Sequence, residues 1–249
     1  MIIVYIVVMI SKQHKPNNKV GLLFTGGLDS TYILYMLAES RKYDVTLYYS
    51  EIKNNIIKTK MELQSIERIM TYFKNNYKNM DLELIVNSVE VSSYNSLTIF
   101  PQLPVHLLTL LYVNKNLESL YIGYTMNDDF VSYINDLERT WETLKNFMPD
   151  DNKPNLVFPL LKIPKYQMID NLSLDLLKLL RSCENPIELD NDFQPCGSCT
   201  VCRRYNYIKS SSMCNVPDNL TGKTVLNPFD LEKSKFKNLD DDDIMEEEF

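Results

Sequence analysis

Histidine is almost absent from this chain, which has only His14 and His106 in 249 residues. Metal catalysis built on imidazoles therefore lacks its ligands, and His106, within an apolar stretch, reads as a satisfied core residue. Missing too is an apolar run long enough to cross a bilayer, which takes about 20 residues. The longest, Met1 to Ile10, has neither a basic start nor a small-residue cleavage site, so it reads as a buried or edge strand. Positive charge is also scarce. The chain has 26 basic and 33 acidic residues, and seven of the acids lie in Asp240 to Phe249, which leaves the rest formally neutral. A neutral body lacks the field that bulk nucleic-acid binding uses. No internal repeat is visible.

What is present is a chain 45% hydrophobic, enough for one sizeable core with a small appendage. Val20 to Phe24 reads as a strand, Thr25 to Ser30 as a tight turn and Thr31 to Glu39 as a helix. Further strands are expected at Asp44 to Tyr49, Leu82 to Val86 and Ser119 to Gly123. Helices are expected at Ile57 to Tyr77 and Pro104 to Asn116. Strands alternating with helices imply a Rossmann-like α/β fold, a parallel sheet with helices on both faces. Beyond Gly123 come a polar loop, a helix over Asp136 to Met148, a Pro-bearing linker and a helix from Pro164 to Leu180. The organisation expected is an α/β domain over 1–180, a four-cysteine segment over 181–210 and an extended polar and acidic tail over 211–249. Little packed structure is expected after Tyr207. The tail reads as a solvated end, or as a docking segment for a basic partner.

Two motifs carry chemistry. In Thr25-Gly26-Gly27-Leu28-Asp29-Ser30, paired glycines leave backbone amides unobstructed where a helix begins, and the helix dipole favours an anion there. Thr25 and Ser30 add hydroxyls on either side, and Asp29 orients a Mg²⁺ ion or caps the helix. A plain strand-to-helix turn with Asp29 as its cap is the alternative. No lysine follows the glycines, so this is not the phosphate loop of kinases and GTPases, and ATP cleaved between its α and β phosphates fits better. The second motif is Cys183 with Cys196, Cys199 and Cys202, whose thiolates suit a structural Zn²⁺ in tetrahedral array. An iron–sulfur cluster and a disulfide pairing are the rivals, the latter disfavoured in a reducing cytoplasm. Cys214 falls outside the spacing and reads as an ordinary thiol.

Together the loop and the run Cys196-Gly197-Ser198-Cys199-Thr200-Val201-Cys202-Arg203 resemble the 7-cyano-7-deazaguanine synthase family of PP-loop enzymes. Gly123, Asp129-Phe130, Tyr133, Pro159-Leu160 and Lys165 extend the resemblance across residues 18 to 205. It implies ATP, Mg²⁺ and structural Zn²⁺ as cofactors and 7-carboxy-7-deazaguanine as substrate. The carboxylate would be adenylated, taken by ammonia as an amide, and dehydrated to a nitrile in a second activation. It also implies that Thr25 to Ser30 hold pyrophosphate and that Asp29, Asp129 and Lys165 serve catalysis. Gly123, Phe130 and Tyr133 would line the substrate. A solvated helix residue is the other reading of Lys165.

The chain has Ser50 to Asn55 and Leu103 to His106 where the family carries Gln-Arg-His and Gly-Arg-Asn. A protein amine is therefore kept as an alternative acceptor, as in relatives of antiviral defence systems. tRNA thiolation and a non-catalytic zinc-stabilised binding protein are the remaining alternatives. A homodimer would be unsurprising, although no interface can be read from the residues.

Overall fold

The computed structural model describes residues 18–52, 55–89, 106, 107, 110, 111, 117–126, 128–149, 153–190 and 192–222. The expected strand at Met1 to Ile10, most of the helix at Pro104 to Asn116 and the acidic tail lie outside them.

Five strands form one parallel sheet in the order β3-β2-β1-β4-β5. They are β1 (Asn18–Leu23), β2 (Tyr43–Ile52), β3 (Leu82–Val89), β4 (Ser119–Tyr121) and β5 (Asn155–Val157). Register runs from Val20 opposite both Val45 and Ser119 to Leu22 opposite Leu47 and Tyr121. The strand pleat alternates side chains between faces, and two separate cores result. Val20, Leu22, Phe24, Val45, Leu47 and Tyr49 point to one face. They pack there against α1 (Leu28–Ser40) and α2 (Ile56–Asn76) through Leu34, Leu37, Ile66, Ile69 and Phe73. Tyr48, Leu120 and Ile122 point to the other face, under α3 (Ile134–Lys145), which contributes Leu137 and Trp141. This is a Rossmann-like fold.

Local chemistry explains several boundaries. α2 starts where the Asn55 side chain accepts the Lys58 amide at 3.0 Å. α1 ends at Arg41, in the left-handed region at φ 54° with its N–H bonded to the Ala38 carbonyl. The expected helix from Pro164 to Leu180 is instead two pieces, α4 (Lys165–Asn171) and α5 (Leu174–Leu177). Leu172 is extended, and Ser173 caps the second piece by accepting the Leu176 amide. The expected linker after α3 contains β5, which completes the sheet beside β4.

Residues 181–222 form the smaller C-terminal part. A hairpin of β6 (Ile187–Leu189) and β7 (Asp192–Gln194) lies between the first and second cysteines, and α6 (Thr200–Ser210) follows the third. The expectation of little packing after Tyr207 fails up to residue 222. Ile208, Val216 and Leu220 are buried in the main core, and α7 (Asp218–Thr221) is docked by Asn219, whose amide donates to the Leu177 and Leu180 carbonyls. Among the described residues no helix is long and apolar enough to cross a membrane.

Candidate functional site

β1 and β4 are neighbours in the sheet, yet the chain leaves them toward opposite faces, to α1 and to α3. Such a divergence opens a crevice at the carboxyl ends of the strands, where α/β sheets bind ligands. The glycine turn sits there. Gly26 is at φ +73°, and Gly27 occupies the N-cap position of α1 with no side chain capping the amides that follow. The reading of Asp29 as the cap is thus corrected: Asp29 lies inside the first turn, and its carboxylate is engaged elsewhere.

The turn is braced from behind. Ser65 Oγ is 3.0 Å from the Gly26 carbonyl and 2.9 Å from that of Leu179, and the Arg181 amide donates to Gly26 as well. A β-carbon on Gly26 would stand 2.8 Å from Ser65 Oγ, and one on Gly27 would stand 3.2 Å from Ser182 Oγ. Gly123, at the end of β4, presses on the same turn, since a side chain there would meet Asp29 and the Ser30 amide at 3.3 Å. Leu28 is buried, and Ser30 Oγ is 3.5 Å from the Gly27 carbonyl. Thr25 is exposed, with its hydroxyl beside Gly27.

Beside the loop runs a chain of alternating charges. Lys165 Nζ donates to both Asp29 oxygens, at 2.7 and 2.5 Å. It lies 3.8 Å from Asp128 Oδ1, which in turn is 3.2 Å from Arg204 Nη1. The other Asp128 oxygen accepts from the Thr125 amide at 2.7 Å and its hydroxyl at 3.0 Å. The Lys165 side chain is 9% exposed and that of Asp29 25%, so Lys165 is a buried cation and the reading of it as a solvated helix residue is corrected. Burial pushes the Asp29 carboxyl above its ordinary range, and Lys165 only partly opposes this. Burial and the Asp29 charge push the neighbouring Tyr205 hydroxyl up too.

Asp129 opens a 3-10 turn, Asp129–Tyr133, and its side chain lies outside the described residues; Asp128 is the acid that meets Lys165. Phe130 is fully buried, stacked on Tyr124 with ring centroids 4.5 Å apart, and sits in the apolar core. Tyr133 is 40% exposed at the surface end of that turn. His106 shares a hydrogen bond with the Tyr124 hydroxyl, and burial lowers its pKa to about 4, which fits the core reading.

The four cysteines converge. The sulfurs of Cys183, Cys196, Cys199 and Cys202 all lie within 4.8 Å of one another, and none is bridged. Backbone amides point at them: Cys196 N–H to Cys183 Sγ, Cys199 N–H to Cys196 Sγ and Cys202 N–H to Cys199 Sγ. Gly197, at φ +74°, makes the knuckle, with Gly222 packed on it. Within the cluster the thiols split: hydrogen bonds from Cys183 and Cys202 hold Cys199 below its ordinary range, while the same contacts push Cys183 and Cys202 up. The cluster can bind a metal. α6 starts at Cys199 and carries Arg204 into the charge chain, while Ser182, just before Cys183, touches the glycine loop. Asp128, Arg204, Ser182 and Ser65 had no motif in the sequence to mark them; only a run of polar residues after Gly123 and a pair of arginines after Cys202 stood near two of them.

No protein-family model matches the sequence, and no curated protein matches it. Solved structures to which the chain is similar include the U34-tRNA thiolase NcsA from Methanococcus maripaludis with its 4Fe–4S cluster. It is 16% identical, with a TM-score of 0.42, covering 80% of this chain and 67% of that one. Another is a predicted subunit of a tRNA methyltransferase from Methanocaldococcus jannaschii, 14% identical, with a TM-score of 0.43, covering 78% of this chain and 87% of that one. Neither likeness says what this chain acts on.

Proposed function

We propose that this chain is an ATP-using enzyme of the PP-loop class that adenylates the carboxylate of 7-carboxy-7-deazaguanine and passes the acyl group to ammonia. One observation carries the reading: the first amides of α1 lack a side-chain acceptor and open behind Gly26 where β1 and β4 diverge, with the Lys165 ammonium alongside. Amides at a helix start together with a buried cation form a receptor for phosphate oxygens. The deazaguanine carboxylate rests on the sequence resemblance.

In the reaction a carboxylate oxygen attacks the α-phosphorus of ATP and pyrophosphate leaves. Ammonia then adds to the carbonyl carbon, and AMP departs with that oxygen. Gly26 to Ser30 would hold the pyrophosphate, and Lys165 would meet the charge that builds on it, a type of contact typically worth 10²–10³ in rate. Asp29 is the carboxylate beside the loop that would hold Mg²⁺, which when bound neutralises phosphate oxygens.

The metal assigned to the cysteines is zinc. Zinc–sulfur bonds of about 2.3 Å in a tetrahedron set sulfurs about 3.8 Å apart. The sulfurs of Cys183 and Cys199 already stand 3.9 Å apart. A four-iron cluster holds its cysteine sulfurs on a wider shell than a single ion does.

Exchange of labelled pyrophosphate into ATP, measured without ammonia, tests adenylation separately from the acceptor. Exchange that appears only when the deazaguanine carboxylate is present supports the reading, and exchange indifferent to the carboxylate removes it. Product mass with ammonia or with a co-expressed protein then identifies the nucleophile.

A further inference from the structure

We propose that Arg204 is a positioning residue for this reaction: it neutralises Asp128 and so leaves Lys165 available to turn toward the phosphates. The inference rests on the adenylation reading. Asp128 is engaged on all sides except toward Lys165. One oxygen takes both Thr125 donors, and the other takes Arg204 at 3.2 Å, with Lys165 more distant at 3.8 Å. Its side chain is only 20% exposed. With the guanidinium removed, the nearest cation to this carboxylate is Lys165. An ammonium held between two uncompensated acids, Asp29 and Asp128, is kept from a third anion.

Arg204 owes its place to the cysteine knuckle. Cys199 caps α6, Cys202 lies in its first turn, and Tyr205, 2% exposed, anchors the next turn in the main core. The knuckle thereby fixes the stretch of helix from which the Arg204 guanidinium reaches Asp128. Ser182, on the other flank of the cluster, rests against Gly27, so the four cysteines hold both the back of the loop and the far end of the charge chain.

The test compares the full chain with Arg204→Ala, Arg204→Lys and the double variant Arg204→Ala/Asp128→Asn. ATP with Mg²⁺ is titrated by calorimetry, kcat and KM are measured with the carboxylate, and metal content by mass spectrometry. Arg204→Ala should weaken ATP about tenfold and lower kcat, because Lys165 also meets charge that builds during the reaction, with metal content unaltered. The lysine should recover most of this. The double variant should recover it too, because the uncompensated acid is gone. Unchanged ATP affinity in Arg204→Ala, a double variant as weak as the single, or loss of metal alongside loss of affinity would each overturn the role of Arg204. A wild-type chain that binds no ATP would overturn the adenylation reading itself.

Discussion

Replacing Lys165 by methionine keeps the aliphatic stem and removes the ammonium, which isolates what the charge does for the fold. Asp29 would then stand three-quarters buried without its partner. Removing one member of a buried pair typically costs about 3–5 kcal/mol, and the remaining exposure of Asp29 places this case at the low end, about 3. In urea that is a midpoint lower by roughly 1 M for a chain of this size. Trp141 is the only tryptophan and is 1% exposed under α3, so its fluorescence reports unfolding directly.

The cost should depend on pH in a definite direction. Burial already raises the Asp29 carboxyl in the native protein, with Lys165 opposing, so losing Lys165 raises it further. A folded pKa above the unfolded one contributes stability that is present below pH 3.8 and lost as pH rises through the folded value. The deficit of Lys165→Met should therefore be largest near neutrality and shrink toward pH 4. Adding Asp29→Asn should restore most of the midpoint, because no buried charge is then left unpaired. A deficit independent of pH, or a double variant no more stable than the single, would refute the reasoning.

Other outcomes follow from the same geometry. Gly26→Ala must hold a left-handed backbone, worth about 1–2 kcal/mol, and push against Ser65, so both the urea midpoint and ATP affinity should fall. Gly27→Ala meets Ser182 most closely, at 3.2 Å, and should lose ATP affinity with a smaller loss of stability, read by the same two measurements. His106 is held down at about pKa 4, so stability should fall by up to about 3 kcal/mol as pH drops from 6.5 to 4. His106→Gln should flatten that slope in urea titrations. Metal analysis should find one zinc per chain and no visible absorption band, and Cys196→Ser should abolish the metal and lower the thermal midpoint by several degrees.

The loop and the cysteine cluster were legible in the sequence because each is a contiguous run of residue types with a spacing. The first strands and helices were legible because they are long enough to show a period. β5 has only three residues, too few for any period, and it was passed over as a linker. The break between α4 and α5 depends on one serine capping the next turn, a signal that apolar spacing across Pro164 to Leu180 concealed. Burial of Ile208, Val216 and Leu220 depends on α6 and α7 lying over α4 and α5, which no local pattern encodes. The charge chain is the clearest case. Asp29, Asp128, Lys165 and Arg204 are far apart in sequence, and their pairing exists only once the switch point has formed. Asp128, which no motif marks, is the acid that meets Lys165, while the side chain of its neighbour Asp129 lies outside the described residues.

The central claim is transfer of AMP onto an organic acid, and oxygen labelling tests it most directly. With ¹⁸O in the carboxylate of 7-carboxy-7-deazaguanine, ATP and ammonia, the AMP formed should carry one labelled oxygen, and the pyrophosphate none. Unlabelled AMP, or ADP and phosphate in its place, would contradict the account.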